Sequence, residues 1–170
     1  MFRVGLVLLF VLVAGCDSAS GAGSFDSIAP AATTTTVGAT TSSTPPIPDE
    51  LSGFAVTTVS LDGEDLLVAV ADDGNTRRQG LMGVTDLGDL DGMLFVFDED
   101  VSAAFWMKDT LIPLDIAFFT AAGDYVDGFA MEQCTSDPCT SYRPDRSYRF
   151  ALEMPAGAMP EGVEHITVDR

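Results

Sequence analysis

From residue 51 onward, the sequence is divided into short apolar runs, with turn residues about every ten positions. Two turns, Asp62-Gly63 and residues 121–124, join neighbouring runs as hairpins. Thr76 is a candidate N-cap for one short helical stretch over 77–81. The runs typical of strands cover 54–59, 66–71, 93–97, 103–108, 114–119, 125–131, 148–154 and 163–168. The pattern predicts a mainly β fold: a single compact β-sandwich or barrel-like domain of seven to eight short strands with one short helix.

Alternation within three of these runs predicts a core face and an opposite, polar face. Successive side chains of a strand point to opposite faces of the sheet. If residues 109–114 are the loop of a hairpin, Lys108 lies across from Asp115 on the neighbouring strand. The polar face would then carry five candidate ligand-binding residues, Trp106, Lys108, Asp115, Arg149 and Glu153.

A tryptophan beside mixed charges suits a small polar ligand or a protein partner, and binding without catalysis is the leading hypothesis. One alternative is an ordinary surface ion pair on a purely structural surface protein. Another is a carboxylate-based hydrolase acting on envelope glycan, with Asp115 and Glu153 as the acid pair. His165 is the only histidine, and no Ser-His-Asp set or phosphate loop can be assembled. We therefore favour a non-enzymatic role with no cofactor.

The charge of the chain is strongly one-sided, with 26 acidic and 8 basic residues and a net charge of −18. Such a surface repels phosphate backbones, so we expect no nucleic-acid partner. Arg77 and Arg78 stand side by side at the start of the predicted helix. They could bind an anion, or their stems could pack beside a structural ion pair, and the second interpretation is favoured.

Residues 1–15 are typical of a secretory signal, with an early arginine followed by an apolar run over 4–13. As a helix this run spans about 15 Å, half the hydrocarbon thickness of a bilayer. Residues 13–16, Val-Ala-Gly-Cys, resemble the bacterial lipobox, whose cysteine takes a diacylglycerol. We expect cleavage before Cys16 and lipid attachment there. The domain would then be extracytoplasmic, anchored to the outer face of the plasma membrane.

Residues 16–50 are rich in alanine, threonine, serine and proline and contain very few large apolar residues. Such a segment buries too little apolar surface to offset the entropy lost on ordering. We predict a disordered tether between the membrane and a globular domain over 51–170.

The chain has three cysteines, and lipidation of Cys16 leaves one pair, Cys134 and Cys139. In an oxidising exterior we expect these two residues to form a disulfide. A zinc site would need further ligands, and His165 is the one other candidate, so we expect no metal.

Four ordered blocks resemble domain-of-unknown-function family 192. They are Arg77-x-x-Gly80-Leu81-Met82, Gly92-Met93-Leu94-Phe95-x-Phe97, Phe105-Trp106-Met107-Lys108-x-Thr110-x-Ile112-Pro113-Leu114-Asp115-Ile116 and Leu152-Glu153-x-Pro155-Ala156-Gly157. The resemblance covers roughly residues 56–168 and implies a compact, mainly β domain without an established activity, substrate or cofactor. The family usually has asparagine where this chain has Asp109, and a basic residue where it has Gly83-Val84. Any ligand role of that asparagine does not transfer directly to Asp109.

Overall fold

Nine β-strands, one short α-helix and one 3-10 turn lie within residues 47–169, the part of the chain that this computed structural model describes. In chain order they are the 3-10 turn Asp49–Leu51, β1 Ala55–Leu61, β2 Glu64–Ala71, α1 Gly74–Gln79, β3 Gly92–Val101, β4 Phe105–Trp106, β5 Leu114–Phe119, β6 Tyr125–Met131, β7 Ser141–Tyr142, β8 Tyr148–Pro155 and β9 Ile166–Thr167. The prediction of a mainly β domain with one short helix is confirmed.

Several sequence predictions concern residues outside this range. The signal peptide over 1–15, the lipid attachment at Cys16 and all but the end of the tether over 16–50 lie outside the described residues. Within residues 47–169, no helix has the length and apolar character needed to cross a membrane.

Seven strands form one sheet in the order β6-β5-β8-β3-β2-β1-β9, with only β2 and β3 parallel. The chain just before and within β9 joins the two edges of this sheet. His165 O accepts a hydrogen bond from Asp62 N at the end of β1, and Ile166 N donates to Gly123 O before β6, both at 2.9 Å. The sheet therefore curls into a half-barrel, in agreement with the barrel-like prediction.

Both faces of the sheet are buried. One face carries a core that includes Phe118 and Met93, and the other carries Phe119 and Leu94. A sheet covered on both faces has nearly continuous apolar strands, as in β5 and β8. The expected division of these strands into a core face and a solvent-facing polar face is therefore wrong.

The short helix begins earlier than predicted. Asp73, and not Thr76, is the N-cap: its carboxylate accepts hydrogen bonds from the backbone nitrogens of Asn75 and Thr76, at 2.6 and 3.0 Å. These bonds also lower the pKa of Asp73. Thr76 returns a bond to the Asp73 amide, which completes a capping box. The helix consequently occupies Gly74–Gln79 instead of 77–81.

The two hairpins marked by glycine turns are confirmed, joining β1 to β2 and β5 to β6. The predicted hairpin between 103–108 and 114–119 is wrong. β4 contains only Phe105–Trp106 and pairs with β7, while β5 pairs with β6 and β8. Asp109 takes a left-handed conformation with a φ of 55°, so the chain turns away from β4 before it can return beside it.

β4 is held by an aromatic cluster beneath it. The Phe105 ring makes edge contacts with Phe95 at 4.9 Å and Phe118 at 5.6 Å between centroids. Tyr148 packs against Phe118 at 4.7 Å, and its hydroxyl donates to Ala103 O at 3.1 Å. Burial raises the pKa of this hydroxyl well above its usual range. The cluster fixes the position of the residue that follows Phe105 in β4, which is Trp106.

The segment between β6 and β7 contains the predicted disulfide. Cys134 and Cys139 are bonded, with their Cα atoms 5.3 Å apart. The pairing prediction is confirmed within the described residues. The bond closes a short loop directly before β7, the strand that pairs with β4.

Candidate functional site

Of the five candidate residues, the structure brings Trp106 and Glu153 to one cavity and places the other three elsewhere. Lys108 contacts the Asp137 carboxylate at 3.1 Å, which raises the pKa of Lys108. Arg149 contacts Asp100 at 2.9 Å. These are the partly exposed ion pairs that the alternative interpretation described, and such pairs contribute little to stability.

Asp115 and Glu153 lie on opposite faces of the sheet. In the register of β5 with β8, Ile116 pairs with Glu153 and Asp115 pairs with Met154. Residues directly across from each other share a face, so the two carboxylates point away from each other. The Asp115 carboxylate instead accepts a hydrogen bond from Gly157 N at 2.7 Å. The prediction that Asp115 and Glu153 form a catalytic pair, or share one polar face, is therefore wrong.

Glu153 is a buried carboxylic acid in the middle of β8, with only 4% of its surface exposed. Its backbone lies between Met93 of β3 and Ile116 of β5. Within residues 47–169, no hydrogen bond or ion pair reaches its carboxyl group, and burial alone raises its pKa to about 8. At neutral pH the group is consequently protonated and can donate a hydrogen bond.

Trp106 is the only tryptophan of the chain, and 57% of its surface is exposed. It forms the wall of a cavity of about 260 Å³ that also touches Phe97 and Ala103. A narrow slot of about 40 Å³ shares this wall and leads to Glu153. We call the two spaces together the Trp106–Glu153 groove; both are lined by Arg77, Arg78, Met82, Phe95, Phe105 and Trp106.

Two arginines of α1 line the groove. The Arg77 guanidinium donates through one nitrogen to Val96 O at 2.7 Å and to Asp72 O, and it lies 5.0 Å from the centre of the Phe97 ring. Arg78 donates to the Asn75 side chain at 3.1 Å. Among residues 47–169, no carboxylate lies within 4.0 Å of either guanidinium. The ion pair predicted beside these arginines is absent from residues 47–169.

Backbone geometry brings the end of α1 close to Phe95, which lines the groove. Gly80 ends the helix with a φ of 50°, and a side chain there would meet the Phe95 ring at 3.3 Å. The chain then bridges from Met82 to Thr110, next to Asp109. Asparagine and aspartate adopt positive φ more readily than other non-glycine residues. The conformation of Asp109 thus gives a backbone reason for either residue at this position.

The four sequence blocks that carry the family resemblance meet at this groove. Eleven of the described residues line its narrow slot, and nine of them belong to those blocks, namely Arg77, Gly80, Leu81, Met82, Phe95, Phe105, Trp106, Thr110 and Glu153. The two other lining residues, Arg78 and Gln79, lie between members of the first block. Sequence reasoning named Trp106 and Glu153 but did not connect them with Arg77.

The model of domain-of-unknown-function family 192 (DUF192), described as an uncharacterized ACR, matches residues 57–164. The chain belongs to this family. Among curated proteins, none matches it significantly.

Two crystal structures resemble the DUF192 domain. One is a protein of unknown function from Novosphingobium aromaticivorans, 23% identical, with a TM-score of 0.60 over 75% of this chain and 94% of its own. The other, from Sinorhizobium meliloti, is described as a candidate transcription regulator. It is 29% identical, with a TM-score of 0.56 over 66% of this chain and 93% of its own. The first likeness concerns the fold alone.

Proposed function

We propose that this DUF192 domain binds a small polar ligand in the Trp106–Glu153 groove. The observation that carries the proposal is Glu153, a residue only 4% exposed that borders the slot and whose carboxyl group has no hydrogen-bond partner among residues 47–169. Its oxygens are still reached by solvent, since no sealed side-chain oxygen among these residues lacks a partner. A ligand in the slot would reach this group in place of solvent and accept a hydrogen bond from it.

The wall of the groove supplies the second element of a binding site. An indole that is more than half exposed offers a flat apolar surface on which a ring can stack. Its neighbour Phe105 anchors it in the aromatic cluster, so the surface is held in place before a ligand arrives. A partly apolar cleft with a few polar groups is the usual form of a small-molecule site.

Trp106 fluorescence tests this proposal, because no other tryptophan contributes to the signal. We would titrate the protein with four ring compounds that differ in one substituent: benzoate, phenyl phosphate, benzamide and benzylamine. We expect at least one to change the emission in a saturable way, and Glu153→Leu to weaken that binding by about tenfold or more.

Asp115→Asn is the matched control, because it alters a carboxylate of the same sheet on the opposite face. It should bind as the wild type does. Failure of all four compounds, or equal binding by Glu153→Leu, would overturn the proposal and favour a purely structural surface protein.

We further propose that the domain is displayed outside the cell by a lipid anchor at Cys16. The apolar run and small residues before Cys16 support this, and the Cys134–Cys139 disulfide fits an oxidising compartment. Expressed in bacteria fed labelled palmitate, the full chain should incorporate label that Cys16→Ser loses and Cys134→Ser retains. Label that persists in Cys16→Ser would contradict the anchor.

A further inference from the structure

The groove is a locally cationic place in an acidic protein. Lys108 and Arg149 each have a carboxylate partner, at 3.1 and 2.9 Å. The guanidinium groups of Arg77 and Arg78 have none within 4.0 Å in residues 47–169, although the chain has 26 acidic residues. Asp73 lies near enough for the Arg77 charge to contribute to its lowered pKa, but it forms no ion pair with Arg77. Two adjacent cations without a carboxylate in contact, beside a cavity, leave hydrogen-bond donors available to an anion.

Among residues 47–169, one carboxyl group lines the groove, and it does not neutralise these arginines. Glu153 is a buried residue that shares the slot with Leu81, Phe95 and Phe105, and no cation contacts it within the described region, so the neutral form is favoured. The groove therefore presents two positive charges and a neutral hydrogen-bond donor. The Arg77 guanidinium is also held in place by Val96 O and the Phe97 ring.

Resting on the proposed function, we infer that the ligand is a small organic oxyanion, a carboxylate or phosphate attached to a flat ring. The ring would stack on Trp106, and the oxyanion would meet the guanidinium groups of Arg77 and Arg78 with the Glu153 carboxyl group beside them. Planar guanidinium groups suit both kinds of oxyanion. The cavity volumes of about 260 and 40 Å³ fit a single substituted ring.

The main alternative to an oxyanion is an amine ligand, and the pH dependence of the affinity distinguishes these two kinds of ligand. An amine needs the ionised Glu153 carboxylate, so its affinity would rise with pH through about 8, whereas the affinity of an oxyanion would fall. Of the described residues that line the slot with Glu153, only Arg77 and Arg78 are also charged.

The same four compounds test this inference, with affinities measured at pH 6.5 and pH 9. We expect benzoate and phenyl phosphate to bind about tenfold more tightly than benzamide and benzylamine at pH 6.5, and more weakly at pH 9. Glu153→Gln keeps a neutral hydrogen-bond donor at both pH values. Its affinity for benzoate and phenyl phosphate should therefore not fall between pH 6.5 and pH 9. The tighter of the two anions identifies a carboxylate or a phosphate ligand.

Arg78→Gln and Arg77→Lys should each weaken binding of the anions about fivefold or more and leave benzamide unchanged. Arg146→Gln is the matched control: it removes the same charge from an arginine that contacts Val126 O, away from the groove. If benzamide or benzylamine binds as tightly as benzoate, the oxyanion inference fails and the proposed function stands. If no compound binds, both fail.

Discussion

Replacing Glu153 with glutamine is expected to remove a large pH dependence from the stability of the domain. The folded state raises the pKa of Glu153 from an ordinary value of 4.5 to about 8, so the folded protein keeps a proton that the unfolded chain releases. The contribution of Glu153 to the free energy of unfolding is therefore fully present below pH 4.5 and is lost as pH rises towards 8. The shift corresponds to a loss on the order of 4 kcal/mol over that interval.

Urea unfolding of the wild type and Glu153→Gln at steps between pH 4.5 and 8.5 measures this difference. We expect the wild type to lose stability relative to the variant with each step, and the two curves to run parallel above about pH 8. Glu161→Gln, which changes an exposed glutamate, should follow the wild type. Parallel curves for wild type and Glu153→Gln across the whole range would show that the carboxyl group is not held neutral.

Gly92→Ala is expected to lower the free energy of unfolding by about 3 kcal/mol or more. A Cβ atom at this position would lie 2.1 Å from the Glu153 carbonyl oxygen and 3.2 Å from Met154 Cγ. The carbonyl belongs to the backbone of the central strand β8, which is paired on both sides, so it cannot move aside as a flexible side chain would. Strands β3 and β8 would have to separate.

Chemical denaturation of Gly92→Ala and of the control Gly53→Ala, measured in parallel, distinguishes this clash from the general effect of adding a methyl group. Gly53 is exposed, and a Cβ atom there would have no atom of residues 47–169 within 4 Å. The control should differ from the wild type by less than about 0.5 kcal/mol. Equal stabilities of the two variants would mean that the strands adjust to the added atom at little cost.

The mainly β architecture was predictable because local sequence patterns determine where its strands and hairpin turns lie. The Asp62-Gly63 turn has the positive φ values that a tight hairpin needs, and the apolar runs mark the strands. The pairing of β4 was not predictable from alternation. It depends on the left-handed conformation of Asp109 and on a distant two-residue partner strand, Ser141–Tyr142, whose sequence is too short to show a period.

The candidate site was predicted in part, for a reason that the strands explain. Alternation can separate a core face from a polar face only where one face meets water, and β8 is buried on both. Glu153 was therefore grouped with Asp115, from which the sheet separates it. A better signal is a glutamate enclosed by Leu152 and Met154 in an apolar strand, because an unpaired buried carboxylate is rare. The link to Arg77 depends on tertiary packing.

The hydrogen bonds of residues 164–166 to both edges of the sheet also bear on the order of events during synthesis. Every other strand of the sheet leaves the ribosome before this segment. Until this segment emerges, the backbone groups of β1 and β6 that bind it in the folded domain are unpaired. Open strand edges pair readily with other chains. The nascent domain is consequently most exposed to aggregation just before these residues emerge, and their arrival ends that interval.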